Sequence, residues 1–452
     1  MRRRALLAGL AALPTASWGR PPAKPAFAAG PLVRAAGLPG IVAYARLDAD
    51  GGVLADAALA AAPMMPASTL KAVTALYALD RLGWDRRFTT RVIRAGDMLV
   101  LAGGGDPLLS TDDLARLAAD LAATGQPAPA RFAVWGGALP QIPEIAPGQA
   151  DHLAYNPALS GMILNFNRVH LGWRQGGTQM SLEARAASHS PRAYTITAAP
   201  ADQPDLFAWR QDGPRESWTV ARSAMARPGS RWLPVRKPEL YAGDVFQTLC
   251  RAKGLVLPAP SVIRDLPMGE TLASHASPPL EQILRGMLHF STNLTAEVVG
   301  LHASGAADPA ASARAMQDWL TAQGQGRDFL LADHSGLSPE SRVTAEGMVW
   351  LLAGPGMAAG LPGLLKKNPL DEDLGRDPAQ AARIRAKTGT LNFVSNLAGY
   401  LDRADGRQSA FAILTADPAR QAATAGQELP PGVLAWTRDA RRLQRDVLAI
   451  WS

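Results

Sequence analysis

The sequence predicts an α+β fold, an antiparallel sheet with helices, interrupted by a large β-rich insertion. Three observations predict it. Helical periodicity marks residues 66–79 and returns after residue 237. Between them, from about Trp84, short strands alternate with Gly/Pro-rich connections. The chain then closes on strands and one long amphipathic helix. With 452 residues the chain exceeds one ordinary compact domain. The expected organisation is an N-terminal leader at 1–28, the first part of the helix-and-sheet domain at 29–83, the insertion at 84–236 and the second part at 237–452.

The leader "MRRRALLAGLAALPTASWGR" places three arginines before a short apolar stretch and small residues, as a secretory signal does. Arg3 and Arg4, followed by Ala5, Leu6 and Leu7, look like a twin-arginine export signal, with ordinary general secretion as the alternative. "AFAA" at 26–29 offers a later cleavage site. No other apolar run is long enough to span a bilayer, so an exported, soluble, periplasmic protein without a transmembrane anchor is expected. Cys250 is the single cysteine, which excludes an intramolecular disulfide.

"GIVAYARLDADGGVLADAAL" alternates apolar and polar residues around Asp50 and Gly51 and reads as a β-hairpin. The helix "PASTLKAVTALYAL" follows. "RFTTRVI", "DMLVLAGGG", "ARFAVWGG", "AYTITAAP" and "WTVARSAM" are the strands of the insertion, and "TDDLARLAADLAATG" is a helix with two aspartates in its first turn. Helices resume in "PELYAGDVFQTLCRAKGL", "PLEQILRGMLHF" and "TAEVVGLHASG". "RIRAKTGTL", "SNLAGYLDR" and "QSAFAILTAD" are strands, the last two joined by a turn carrying Asp405 and Gly406. The final helix gathers Val433, Trp436, Ala440, Leu443, Val447 and Ile450 on one face, with Arg438, Arg441, Arg442 and Arg445 elsewhere. It is expected to pack on the sheet, with peripheral membrane contact as the alternative.

Composition narrows the function classes. A hydrophobic share of 47% and a charged share of 19% belong to a folded globular chain. The net charge of +7 suits an anionic setting such as a cell wall. Basic runs interleaved with aromatics and zinc-finger spacings are lacking, so nucleic acid is not an expected partner. The histidines are scattered without H-E-x-x-H, and neither a metal nor a cofactor is called for. "LAGGGDP" lacks the Lys-Ser/Thr of a phosphate loop and reads as a turn after a strand. His289 lies close to Ser291 but reads as a residue packed at a helix end.

Ser68 and Lys71 are three residues apart on a helix, so the amine can reach the hydroxyl. A lysine base at neutral pH must lose about three units from a reference pKa of about 10.4, and apolar neighbours such as Leu70, Ala72 and Val73 supply that pressure by desolvation. Taken alone, an N-capping serine and a snorkelling lysine explain the pair as well. Two further motifs change the balance: Ser291-Thr292-Asn293 between two helices and Lys387-Thr388-Gly389-Thr390 on a strand. S-x-x-K, S-x-N and K-T-G each stand on a suitable element, in that order.

In this set the chain resembles the penicillin-recognising serine hydrolases. More narrowly, it is similar to the low-molecular-mass class C penicillin-binding proteins, the D-alanyl-D-alanine carboxypeptidase/endopeptidases, which carry a large insertion between the first two motifs. "LAGGGDPLL", "YNPALSGMILNFNRV", "DHSGLSPESRVTA" and "KTGTLNFVSNLAGYL" extend the resemblance over essentially the whole mature chain. The resemblance implies a penicillin-binding/β-lactamase-like transpeptidase domain. It implies Ser68 as nucleophile, Lys71 as its base, and Ser291 and Lys387 as the route of the proton to the leaving D-alanine. Asn293 would hold the substrate amide, Thr388 and Thr390 the terminal carboxylate beside Lys387, with Gly389 in the same substrate-binding stretch, and backbone N–H groups of Ser68 and Thr390 the oxyanion. Peptidoglycan peptides are the implied substrates and β-lactams covalent inhibitors. Two departures stand out: Thr292 where many relatives have Asp, and His334 where they have Gly. A β-lactamase-type hydrolase and a non-catalytic wall-binding module on the same fold are the competing readings.

Overall fold

Two hydrophobic cores organise the chain in the computed structural model, which describes residues 28–48, 52–174, 179–376, 383–403 and 406–452. The leader up to residue 27 and the turn residues Asp50, Gly51 and Asp405 lie outside the described residues. The first core is built on a six-stranded sheet in the order Lys366–Lys367, Ile384–Leu391, Val394–Asp402, Gln408–Ala416, Ile41–Asp48, Asp56–Ala58. Every neighbouring pair is antiparallel, including the two hairpins expected from the sequence. Val394–Asp402 and Gln408–Ala416 are buried on both faces, hence their nearly unbroken runs of small and apolar residues.

One face of this sheet receives the helix Leu70–Leu82, whose Leu70, Val73, Leu76 and Tyr77 join Ile283, Leu284 and Met287 of the helix Leu280–Phe290. The other face receives the final helix Val433–Trp451, whose Leu443, Val447, Leu448 and Trp451 pack with Tyr44, Phe411 and Ile413. The apolar face of that helix is therefore covered by protein.

The second core surrounds a mixed five-stranded sheet in the order Pro260–Ile263, Arg131–Trp135, Met98–Ala102, Thr89–Ala95, Glu270–Ala276, with two three-stranded sheets beside it. The helix Thr111–Ala123 starts where Ser110 and Asp113 exchange hydrogen bonds as a capping box. The insertion was expected to end at 236, but the structure carries it further. Tyr241, Val245, Phe246 and Leu249 of the helix Pro238–Arg251 lie in the second core, and the strands at 260–263 and 270–276 complete its sheet. The correction has a simple cause: helical periodicity fixes which face is buried, not which core buries it.

The chain leaves and re-enters the first core through one narrow neck. Phe88 N donates to Ser277 Oγ at 2.9 Å and Ser277 N to Phe88 O at 2.8 Å. Leu280 N donates to Arg86 O at 2.8 Å just beyond.

Candidate active site

Ser68 sits in the 3-10 turn Ala67–Thr69 that opens the helix Leu70–Leu82. Ala67 holds a φ of 46°, in the left-handed region that a non-glycine residue keeps only when its surroundings enforce it. Asn396 helps enforce it, donating to Met65 O at 2.7 Å and Pro66 O at 2.9 Å while its Oδ1 accepts from Thr415 N at 3.0 Å. Gly336 presses from the other side, where an added Cβ would stand 1.8 Å from Ala67 O.

Lys71 is wholly buried, so it does not snorkel. Its Nζ lies 2.8 Å from Ser68 Oγ, 2.8 Å from Asn293 Oδ1 and 2.7 Å from Ser335 O. Burial brings its pKa down to about 7, against the opposing pull of the Asp333 and Glu297 carboxylates. Asn293 Nδ2 donates to Tyr155 O at 3.2 Å, which fixes the amide so that its oxygen faces Lys71 and ties the insertion to the site.

Ser291 ends the helix Leu280–Phe290 at φ 58° and the next helix starts at Asn293, so the motif forms a sharp corner between two helices. Lys387, on the strand Ile384–Leu391, donates to Ser291 Oγ at 3.0 Å and to Thr388 O at 2.7 Å. Burial, then the charges of Lys71 and Lys366, holds its pKa well below the usual lysine range. Gly389 lets that strand lie against the serine turn, since a Cβ there would stand 2.8 Å from Pro66 O and 3.1 Å from Ser68 N. Thr388 is half-buried and Thr390 exposed. The outer strand Lys366–Lys367 pairs only with Ala386 and Arg385, so Lys387–Leu391 present an unpaired edge among the described residues. All eight residues singled out from the motifs thus lie on the three elements that meet around Ser68. His289 is in the last helical turn, and its buried Nε2 has no hydrogen-bond partner among the described residues.

A second layer was not identified from the sequence. Buried Glu297 accepts from His334 N at 3.2 Å and Ser335 N at 2.9 Å, an arrangement that fixes the peptide whose Ser335 carbonyl meets Lys71. Burial and the Asp333 carboxylate push the Glu297 pKa upward. Asp333 Oδ2 accepts from Leu337 N at 2.7 Å and Ser338 N at 2.9 Å, turning the chain toward Ser68. Its Asp-x-Ser-Gly pattern carried a turn signal, whereas Glu297 and Asn396 carried none. His334 fits because Gly300 leaves room, a Cβ there standing 2.3 Å from its Cγ; its Nε2 lies 2.7 Å from Ser312 Oγ and burial pushes its pKa down to about 3.

The arrangement offers a hydroxyl, a desolvated amine beside it and a second amine–hydroxyl pair, Lys387 with Ser291. Residues 43–430 match the family of D-Ala-D-Ala carboxypeptidase 3 (S13). The chain belongs to that family. By family it is a serine-type D-Ala-D-Ala carboxypeptidase of the penicillin-binding class. The chain is similar to the D-alanyl-D-alanine carboxypeptidase of Actinomadura sp. (strain R39), 28% identical over 394 residues that cover 78% of this chain and 73% of that one. Carboxypeptidase DacB of Mycolicibacterium smegmatis (strain ATCC 700084 / mc(2)155) is 29% identical over 405 residues, covering 83% of this chain and 76% of that one. The crystal structure of penicillin binding protein 4 (dacB) from Haemophilus influenzae shares the fold, with a TM-score of 0.74 at 19% identity over 93% of this chain and 99% of that one. Among the described residues no helix is long and apolar enough to cross a membrane.

Proposed function

We propose that the protein hydrolyses the peptide bond after a D-alanine in peptidoglycan stem peptides through an acyl-enzyme on Ser68. The observation that carries this reading is the surroundings of Lys71. An amine with a pKa of about 7 is substantially neutral at neutral pH. Neutral, it has two N–H donors and one lone pair. Asn293 Oδ1 and Ser335 O can only accept, so they take the two hydrogens and the lone pair is left for the Ser68 hydroxyl. That is the orientation a general base needs.

Ser68 Oγ attacks the D-alanine carbonyl as its proton passes to Lys71 Nζ. Backbone N–H groups of Ser68 and Thr390 hold the oxyanion, a contribution of about 2.7–4 kcal/mol per donor in comparable sites. The C–N bond then breaks, with Ser291 and Lys387 passing a proton to the departing amine, and water hydrolyses the ester. The peptide adds to the free edge at Lys387–Leu391 as a further strand, with Asn293 on its amide and Thr388 and Thr390 on its terminal carboxylate. A C-terminal D-Ala-D-Ala and a D,D-crosslink both present a D-alanine carbonyl, and the same chemistry serves each. The leader at 1–28 supports a periplasmic place of action, and β-lactams are covalent inhibitors in this reading.

The test is the intact mass of the purified mature protein after brief incubation with benzylpenicillin, followed by peptide mapping. One adduct on Ser68 is expected, absent from a folded Ser68→Ala variant. An adduct that persists in Ser68→Ala removes the assignment. No adduct with rapid drug consumption identifies a β-lactamase instead, and no adduct with intact drug a binding module.

A further inference from the structure

Resting on that reading of the site, we propose that Arg441, on the final helix, is a positioning residue that sets the preference for a substrate ending in a carboxylate, acting through the Thr390 hydroxyl. The residue lies outside the three motifs and 51 positions along the chain from the threonine it touches. Its Nη2 donates to Thr390 Oγ1 at 3.2 Å, and its Nη1 pairs with Asp373 Oδ1 at 2.8 Å. Asp373 belongs to the short helix Asp371–Leu374, which Arg445 also holds through a bond to Gly375 O at 2.7 Å. The guanidinium is thus braced on the side away from Thr390.

The direction of the hydrogen bond matters. A guanidinium has donors only, so at Thr390 it occupies an oxygen lone pair and cannot receive the hydroxyl hydrogen. Thr390 is exposed, and its O–H remains available to an acceptor arriving from the cleft. A donor hydroxyl with a cation behind it favours an anionic acceptor over a neutral one. A carboxylate gains from both the hydrogen bond and the charge, whereas a C-terminal amide gains only the weaker neutral bond.

The experiment compares kcat/KM for an acylated L-Lys-D-Ala-D-Ala peptide and for its C-terminal amide. The acid-to-amide ratio should fall about tenfold in R441A, the lower end of what a hydrogen bond to a charged group contributes. R441K, which keeps a cation without the planar fork, should restore part of it. In a T390V background R441A should leave the ratio unchanged, because the route to the substrate is already gone. An unchanged ratio in folded R441A overturns the inference, as does a tenfold fall that survives T390V. Failure of the parent reading looks different: the wild-type protein would cleave neither peptide and take up no benzylpenicillin on Ser68.

Discussion

Both cores bury carboxylates against backbone donors, and the first core buries two amines besides. In the second core Glu216 is 1% exposed, and its carboxylate is saturated by backbone donors, Arg236 N at 3.0 Å and Lys237 N at 2.8 Å, with Trp209 Nε1 at 3.3 Å. Asp244 likewise accepts from Thr195 N at 2.9 Å. These are structural carboxylates held mainly by backbone N–H groups, with burial pushing the pKa of each upward. In the first core Glu297 and Asp333 are held by backbone donors in the same way, but two buried amines stand apart because each faces a hydroxyl: Lys71 faces Ser68 and Lys387 faces Ser291. Burial of charge by itself does not mark a reactive site. What marks one is a buried group whose state of protonation can change, beside a partner that can use the proton.

The strongest break in this comparison is Lys71→Met, which keeps the volume of the side chain and removes the amine. Acylation of Ser68 by benzylpenicillin should slow by about a thousandfold, within the range of general-base catalysis, while thermal unfolding changes little, as read by stopped-flow mixing and calorimetry. A comparable fall in thermal stability would assign the lysine a structural part instead. Glu216→Ala should do the converse. With its backbone donors left unpaired in the interior, it should cost about 2–4 kcal/mol in denaturant unfolding and leave the acylation rate of the folded protein unchanged. The smallest effect is the pH profile. Burial has lowered the Lys71 pKa to about 7, and the reactive form is the neutral one. The acylation rate should therefore rise about tenfold between pH 6 and 8 and level off above, and a flat profile would exclude Lys71 as the titrating base. No such step is expected from Glu216, whose carboxylate is not part of the reaction.

Much of this division was legible in the sequence, and the reasons for the remainder are physical. The three motifs could be read because each depends on local spacing: Ser68 and Lys71 on one helical face, Lys387 to Thr390 along one strand. The apolar face of the final helix was equally plain, and the sheet does cover it. The far end of the insertion was not, because the helix Pro238–Arg251 shows the same period on either core. Glu297 and Asn396 were invisible for a related reason. Each is a buried polar residue on an element with no motif of its own at that position, and only partners 37 or 330 positions away give it a task. Tyr155 touches the site by a backbone carbonyl, an interaction for which side-chain identity leaves no trace.

The neck at Phe88 and Ser277 bears on how such a molecule arises. These residues are 189 positions apart in the chain, yet they are held together as closely as the two ends of a tight turn. The outer part of the molecule that makes no contact with the host can therefore be lengthened or shortened without re-threading the rest. The chain crosses between host and insertion at a single hairpin-like junction, while Tyr155 and the packing of Leu139, Leu159 and Ile163 on Leu294, Val298 and Leu301 fix the part that lies beside the Ser68 site.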